Sequence, residues 1–267
     1  QVLTILDLGF IRHPEFFQRS KGMYLRTLTR LSARRAAAIL TISHFTAHEI
    51  TALLGTPPER IHVVYPGIET RFRPLPPAEV ARFREAQGLP ERFILYLGTL
   101  EPRKNLLTLV RAFAQLRDPH LHLVLAGGKG WLYEPLFAEV ERLGLQERVH
   151  FPGYVPADSQ ALWYNAATMF VYLSYYEGFG LPVAEALACG TPVLAAHAAS
   201  LPEAAGDAAL LAPPDDVEAI VAGMERLLHD TALRETLRER GPAHAAQFNW
   251  PAAARQTATL YRTLLPS

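Results

Sequence analysis

Two glutamates, Glu177 and Glu185, stand eight positions apart in the stretch YYEGFGLPVAEALACGTPV, which runs from Tyr175 to Val193. Between them Gly178, Phe179 and Gly180 form a loop in which bare backbone can approach a ligand, and Pro182, lacking an N–H, suits the first turn of a helix. Such a turn points unpaired N–H groups and the positive end of a helix dipole into the loop, which favours an anion such as phosphate. Carboxylates beside a phosphate would repel it, so neutral hydroxyls are the expected partners of Glu177 and Glu185. A nucleotide sugar offers both, as a ribose and a hexose joined through a diphosphate. A second pair, Arg103 and Lys104, sits in Thr99-Leu100-Glu101-Pro102-Arg103-Lys104-Asn105, and two adjacent fixed cations suit a diphosphate. The alternatives are a surface glutamate pair on an ordinary crossover and a solvated basic turn.

Strands have to place these groups. Thr168 to Leu173 is a short apolar run with β-branched and aromatic residues, read as a buried parallel strand that ends just before Glu177. A helix is expected from about Pro182 to Cys189, closed by Gly190 and Pro192, with Val193 to Ala195 as the next strand. Arg92 to Gly98 reads as another strand, followed by the basic loop and by helical periodicity from Leu106 to Leu116. Ligands of open α/β sheets bind at the C-terminal ends of the strands, which puts Arg103 and Lys104 on the same edge as Glu177. Leu121 to Ala126 and Glu147 to Phe151 continue the sheet. The turn Gly127-Gly128-Lys129-Gly130 matches neither a dinucleotide fingerprint nor a P-loop, and reads as a tight turn.

The glutamate pair in EGFGLPVAE, followed by ALACGTPV, resembles retaining glycosyltransferase family 4, and GTLEPRKN from Gly98 to Asn105 resembles the same family. The resemblance implies the GT-B architecture, an α/β fold of two Rossmann-like domains with parallel sheets facing a cleft. It implies that Glu177 contacts the donor sugar and Glu185 the ribose, with the backbone from Phe179 to Leu181 near the diphosphate and sugar. Arg103 and Lys104 would hold the leaving diphosphate, with Gly98 and Thr99 on the donor side. The loop Pro152-Gly153-Tyr154-Val155 would lie against the base, where Tyr154 packs either on the base or on the domain core. Front-side attack by an acceptor hydroxyl would retain the anomeric configuration, with Glu177 positioning rather than attacking. The sequence has no Asp-x-Asp, so no cofactor and no essential metal is expected, only a GDP- or UDP-linked co-substrate and a saccharide or lipid-linked acceptor. Rival readings are a GT-B epimerase or phosphorylase, and a donor-binding module without turnover.

At 267 residues, 49% hydrophobic and 19% charged, the chain has the composition of a globular protein of one large or two medium domains. Lys+Arg and Asp+Glu are both 26, which argues against a nucleic-acid footprint over the whole chain. Cys189, the single cysteine, excludes an internal disulfide and reads as a small buried residue. No apolar run approaches the roughly 20 residues that span a bilayer, so a cytoplasmic location is expected. The histidines are scattered without zinc-ligand spacing.

Residues 1–74 alternate strand and helix signals: Val2 to Leu6, Lys21 to Arg35, Ala38 to Ile42, a helix after Ser43, and Ile61 to Tyr65. The resemblance makes this the later part of an N-terminal acceptor-side domain whose opening strand and glycine loop are absent, so the chain is expected to be a fragment that binds donor but transfers poorly. Asp7 follows Leu6 where the family commonly has His-Asp. Ser43 matches a family serine, or is simply a helix N-cap. Arg12, Arg19, Lys21, Arg26, Arg30, Arg34 and Arg35 face one acidic residue, Glu15. Arg26, Arg30 and Arg34 share a helix face, with Tyr24, Leu28 and Leu31 on another; the choices are a helix docked to the core that touches anionic lipid at the inner membrane face, or a solvated basic face. The proline-rich stretch Pro74 to Pro77 reads as the linker to a donor-binding domain over 75–248, with a terminal helix in 249–267 packing back toward the first domain. Ser200 and Glu203 have capping-box spacing.

Overall fold

The computed structural model describes residues 1–16 and 19–264, and the side chains of 19–21 lie outside that description, including the basic groups of Arg19 and Lys21. The first sheet is built from β1 (Val2–Ile5), β2 (Ala38–Thr41) and β3 (Ile61–Val63), all parallel and in that order. Its crossovers are α1 (Gly9–Arg12) with α2 (Arg19–Arg35), and α3 (His44–Leu54). In register, Ile5 lies beside Thr41 and Thr41 beside Val63, so the three C-terminal ends form one edge.

The second sheet has six parallel strands in the order β6-β5-β4-β7-β8-β9. Along the chain the elements are α4 (Pro77–Ala86), β4 (Arg92–Leu97), α5 (Leu106–Gln115), β5 (Leu121–Ala126), α6 (Glu134–Arg142), β6 (Val149–Gly153), α7 (Gln160–Ala166), β7 (Met169–Tyr172), α8 (Leu181–Ala188), β8 (Val193–Ala196), α9 (Leu201–Ala205) and β9 (Leu210–Ala212). Three helices follow, α10 (Val217–His229), α11 (Thr231–Ala245) and α12 (Trp250–Leu264). Helices cover both faces, which is why β7 and β8 are buried at every position and carry near-continuous apolar runs. The order steps one way from β4 to β6 and the other way from β7 to β9. Right-handed crossovers therefore open a crevice at the C-terminal ends of β4 and β7, the topological switch point.

Several local expectations change. Strand β6 starts at Val149 and runs through Pro152 and Gly153, at the sheet edge where a missing N–H costs no ladder bond. Ser200 is not a side-chain cap; its hydroxyl donates to the Glu177 carbonyl at 2.8 Å. Tyr24, Leu28 and Leu31 do not dock to the core but lie exposed, as does Met23, while among the described side chains of α2 the small Ala33 is buried.

The two sheets meet through aromatic and aliphatic side chains. Phe179, Ala184, Ala204 and Phe248 are buried together, with Ile42, Tyr65 and Ile68 packed against them. Leu260 of α12 is buried with Ala38 and Leu40 of the first sheet.

Candidate active site

The basic loop after β4 is a single 3-10 turn, Pro102–Lys104, that ends at Asn105 in the left-handed region. It turns both cations inward. Lys104 Nζ donates to Glu177 Oε1 at 2.6 Å and to the Tyr172 hydroxyl at 2.7 Å, and that hydroxyl lies 3.0 Å from the same Oε1. The Arg103 guanidinium meets Glu177 Oε2 at 2.9 Å, the Tyr176 carbonyl at 2.5 Å and Glu101 Oε1 at 2.7 Å. A solvated basic turn is thereby ruled out: the Lys104 side chain is only 10% exposed. Burial alone would raise the Glu177 carboxyl, but Lys104 and Arg103 outweigh it and hold the group below the usual carboxylate range. Tyr172 leaves β7 from the switch point and continues a row of rings, stacked 5.8 Å from Tyr96 and 5.7 Å from Phe170, with Tyr164 a further 5.2 Å on.

The loop around Glu177 is pinned on both sides. The Ser43 hydroxyl accepts from Thr46 N at 3.0 Å, capping α3, and donates to the Gly178 carbonyl at 2.6 Å. Gly178 packs so tightly that a Cβ there would collide with the Leu6 carbonyl. Gly178 thus serves contact between the two sheets, and the Phe179 side chain is likewise spent there, so Phe179 can offer a ligand only its backbone. Gly180, at φ 107°, caps α8 in the left-handed region.

Glu185 accepts from the Tyr164 hydroxyl at 3.0 Å, so the two glutamates hold different tyrosines. Burial pushes the Glu185 carboxyl up to about 7 against the opposing pull of the Tyr164 hydroxyl and Arg71. Gly98 lies against the Tyr96 hydroxyl, which donates to the Thr99 carbonyl at 2.9 Å. Tyr154 is 76% exposed and does not cover the core, whereas the Val155 side chain does. Asp7 accepts from Gly9 N at 2.9 Å, inside the first sheet's edge loop. Cys189 is buried and its thiol is pushed up to about 12, the behaviour of a packing residue.

Residues 78–244 match the family model described as glycosyl transferases group 1, and residues 4–72 match that of glycosyltransferase family 4. The chain belongs to glycosyltransferase family 4. Among this family's curated members, the O-antigen chain mannosyltransferase B of Escherichia coli is 37% identical over 98% of this chain and 70% of its own length. The D-inositol 3-phosphate glycosyltransferase of Kribbella flavida is 34% identical over 81% of this chain and 54% of its own length, so the chain spans little more than half of that relative. Sucrose-phosphate synthase from Thermosynechococcus elongatus superposes with a TM-score of 0.85 at 30% identity, covering 98% of this chain and 67% of that one. The glycosyltransferase thus has the GT-B fold of two parallel α/β units.

Four polar groups of this family 4 glycosyltransferase have roles that its sequence does not reveal. Tyr172 passes as an apolar strand residue until its hydroxyl is seen on Lys104. Glu101 is visible in the basic loop but signals nothing until Arg103 folds back onto it. The Tyr176 hydroxyl accepts from Leu8 N at 3.2 Å, tying the Glu177 loop to the first sheet. Glu203 crosses the same junction: its carboxylate accepts from His44 N at 2.7 Å, Phe45 N at 3.1 Å and the Tyr65 hydroxyl at 2.8 Å. It therefore fills the N-terminus of α3 rather than capping its own helix.

Proposed function

We propose that this chain carries the donor site of a retaining hexosyltransferase, which moves a mannose- or glucose-type residue from a GDP- or UDP-linked donor to a saccharide or lipid-linked acceptor in polysaccharide assembly. The observation that carries the reading is the cluster of Arg103, Lys104, Glu177 and Tyr172 at the switch point of β4 and β7. The named mannosyltransferase relative supports hexose as the group moved.

In this reading the diphosphate lies on Arg103, Lys104 and the start of α8, where oriented charge stabilises the leaving group. Glu177 orients the hexose, Glu185 accepts hydrogen bonds from the ribose, and the base rests on the loop at Tyr154 and Val155. The acceptor oxygen bonds to the anomeric carbon on the face from which the diphosphate departs, and the acceptor proton passes to a leaving phosphate oxygen. Protein cations take the part of a divalent ion, so transfer continues in a chelator. Helix α2 bears basic residues and no acidic ones, beside exposed Met23, Tyr24, Leu28 and Leu31, and this face is proposed to meet anionic lipid at the inner face of the membrane.

The test is calorimetry with a panel of UDP- and GDP-sugars, followed by NMR of the product's anomeric configuration. Heats from at least one donor and a retained configuration are expected. An inverted product would overturn the retaining mechanism, and silence across the panel would overturn the donor site.

A further inference from the structure

The cluster at the switch point has no charge to spare. Arg103 and Lys104 bring two positive charges, and Glu101 and Glu177 bring two negative ones, with Arg103 paired to both carboxylates and Lys104 to Glu177. A multiply charged diphosphate that used these cations would meet a neutral, largely buried group, and would leave a carboxylate against it at high electrostatic cost. One carboxylate has to give way.

The two carboxylates differ in how they are held. Glu101 sits next to the 3-10 turn with its side chain 4% exposed, and pairs with Arg103 on the guanidinium nitrogen away from Glu177. Glu177 instead spreads its two oxygens across the inward faces of Arg103 and Lys104, where a diphosphate would also bind. Its backbone cannot follow a moving side chain. The Tyr176 carbonyl is fixed by Arg103, the Glu177 carbonyl by Ser200 and the Gly178 carbonyl by Ser43. With the backbone held, rotation about the side-chain torsions is what remains for carrying the carboxylate off the cations.

Resting on the donor-site reading above, we propose that the Glu177 carboxylate occupies the diphosphate's place on Arg103 and Lys104, and that an arriving donor displaces it toward the sugar hydroxyls. Two groups stay behind and keep the cations aimed: Glu101 on Arg103, and the Tyr172 hydroxyl on Lys104. The exchange couples the two halves of donor recognition. Diphosphate binding releases the carboxylate, and the sugar gives that carboxylate its new partners. A nucleoside diphosphate without sugar has to expel Glu177 and offers it no partner in return, so the site discriminates between donor and product.

Calorimetry with UDP and GDP, and with UDP-glucose and GDP-mannose, on the unaltered chain, Glu177→Gln and Lys104→Ala tests this. The amide of Glu177→Gln cannot hold the cations as an anion does, so the bare diphosphate is expected to bind about tenfold more tightly than to the unaltered chain. The advantage of the sugar-bearing donor over the bare diphosphate is expected to shrink in the same variant. Equal or weaker diphosphate binding by folded Glu177→Gln overturns the exchange while leaving the donor site standing, provided that Lys104→Ala weakens binding. Unchanged binding in Lys104→Ala overturns the donor site and the exchange together. Should Glu177→Gln fail to fold, a crystal structure of the unaltered chain with UDP or GDP decides: Glu177 turned away from Lys104 supports the exchange, and Glu177 still paired with it overturns it.

Discussion

At Glu185, burial pushes the carboxyl up to about 7, with the Tyr164 hydroxyl as its hydrogen-bond donor and Arg71 as an opposing charge. A folded value above the unfolded one means that the group's contribution to stability is complete below about pH 4.5 and is lost as pH rises through about 7. Glu185→Gln removes that loss. The variant is expected to match the parent at pH 4 and to exceed it at pH 8 by about 2 kcal/mol, a figure held down by the side chain's partial exposure. Denaturant titrations at the two pH values check this. If Glu185 receives the ribose hydroxyls as an anion, the same substitution weakens nucleotide binding at pH 8 by roughly 1–3 kcal/mol. The parent's affinity then falls as pH drops below about 7, and the variant's does not, as calorimetry across that range will show.

Among the elements, α9 and α3 are joined by one side chain. Glu203 caps α3 across the junction and takes the Tyr65 hydroxyl as well, so Glu203→Ala strips partners from two backbone N–H groups and one phenol. A loss of roughly 2–3 kcal/mol is expected by chemical denaturation, with Glu203→Gln recovering part of it. Helix α2 is the opposite case: Ala33 packs into the core with Ile39 and Ile50, but Met23, Tyr24, Leu28 and Leu31 lie exposed. Met23 is 69% and Tyr24 64% exposed beside Arg26 and Arg30. Sedimentation with vesicles should show binding to phosphatidylglycerol-containing bilayers and none to phosphatidylcholine alone, and replacing Tyr24 and Leu28 by serine should abolish it. Equal binding to both vesicle types would remove the electrostatic part of that proposal.

For the whole molecule, the junction between the sheets holds the Glu177 loop in place. Tyr65, Phe179 and Phe248 touch one another, with ring centroids 5.0–5.7 Å apart, and the loop's own Tyr176 and Gly178 are bonded to the first sheet. Phe248→Ala should therefore cost about 3–4 kcal/mol and open the junction rather than either sheet. Calorimetry should show the parent's unfolding as one transition and the variant's as two. A single, merely lowered transition in Phe248→Ala would place that side chain's contribution within one sheet.

Much at the switch point was legible from the sequence alone. Apolar runs marked β4 and β7, the glycines and Pro182 marked the start of α8, and Arg103, Lys104 and Glu177 stood where open parallel sheets carry their ligands, because strand period and turn chemistry are local properties of neighbouring residues. Pairing is not local. That Arg103 and Lys104 turn inward onto Glu177, that Glu185 holds a different tyrosine, and that Glu203 caps a helix of the other sheet all depend on which elements meet in space. Glu203 lies 159 positions from the N–H it caps, and the nearby Ser200 offered a local partner that the folded chain does not use. Sequence determined the sheet edges and the residues that reach them; tertiary contact decided which charges are free, because burial makes each ionised group take the best partner within reach rather than the nearest one along the chain.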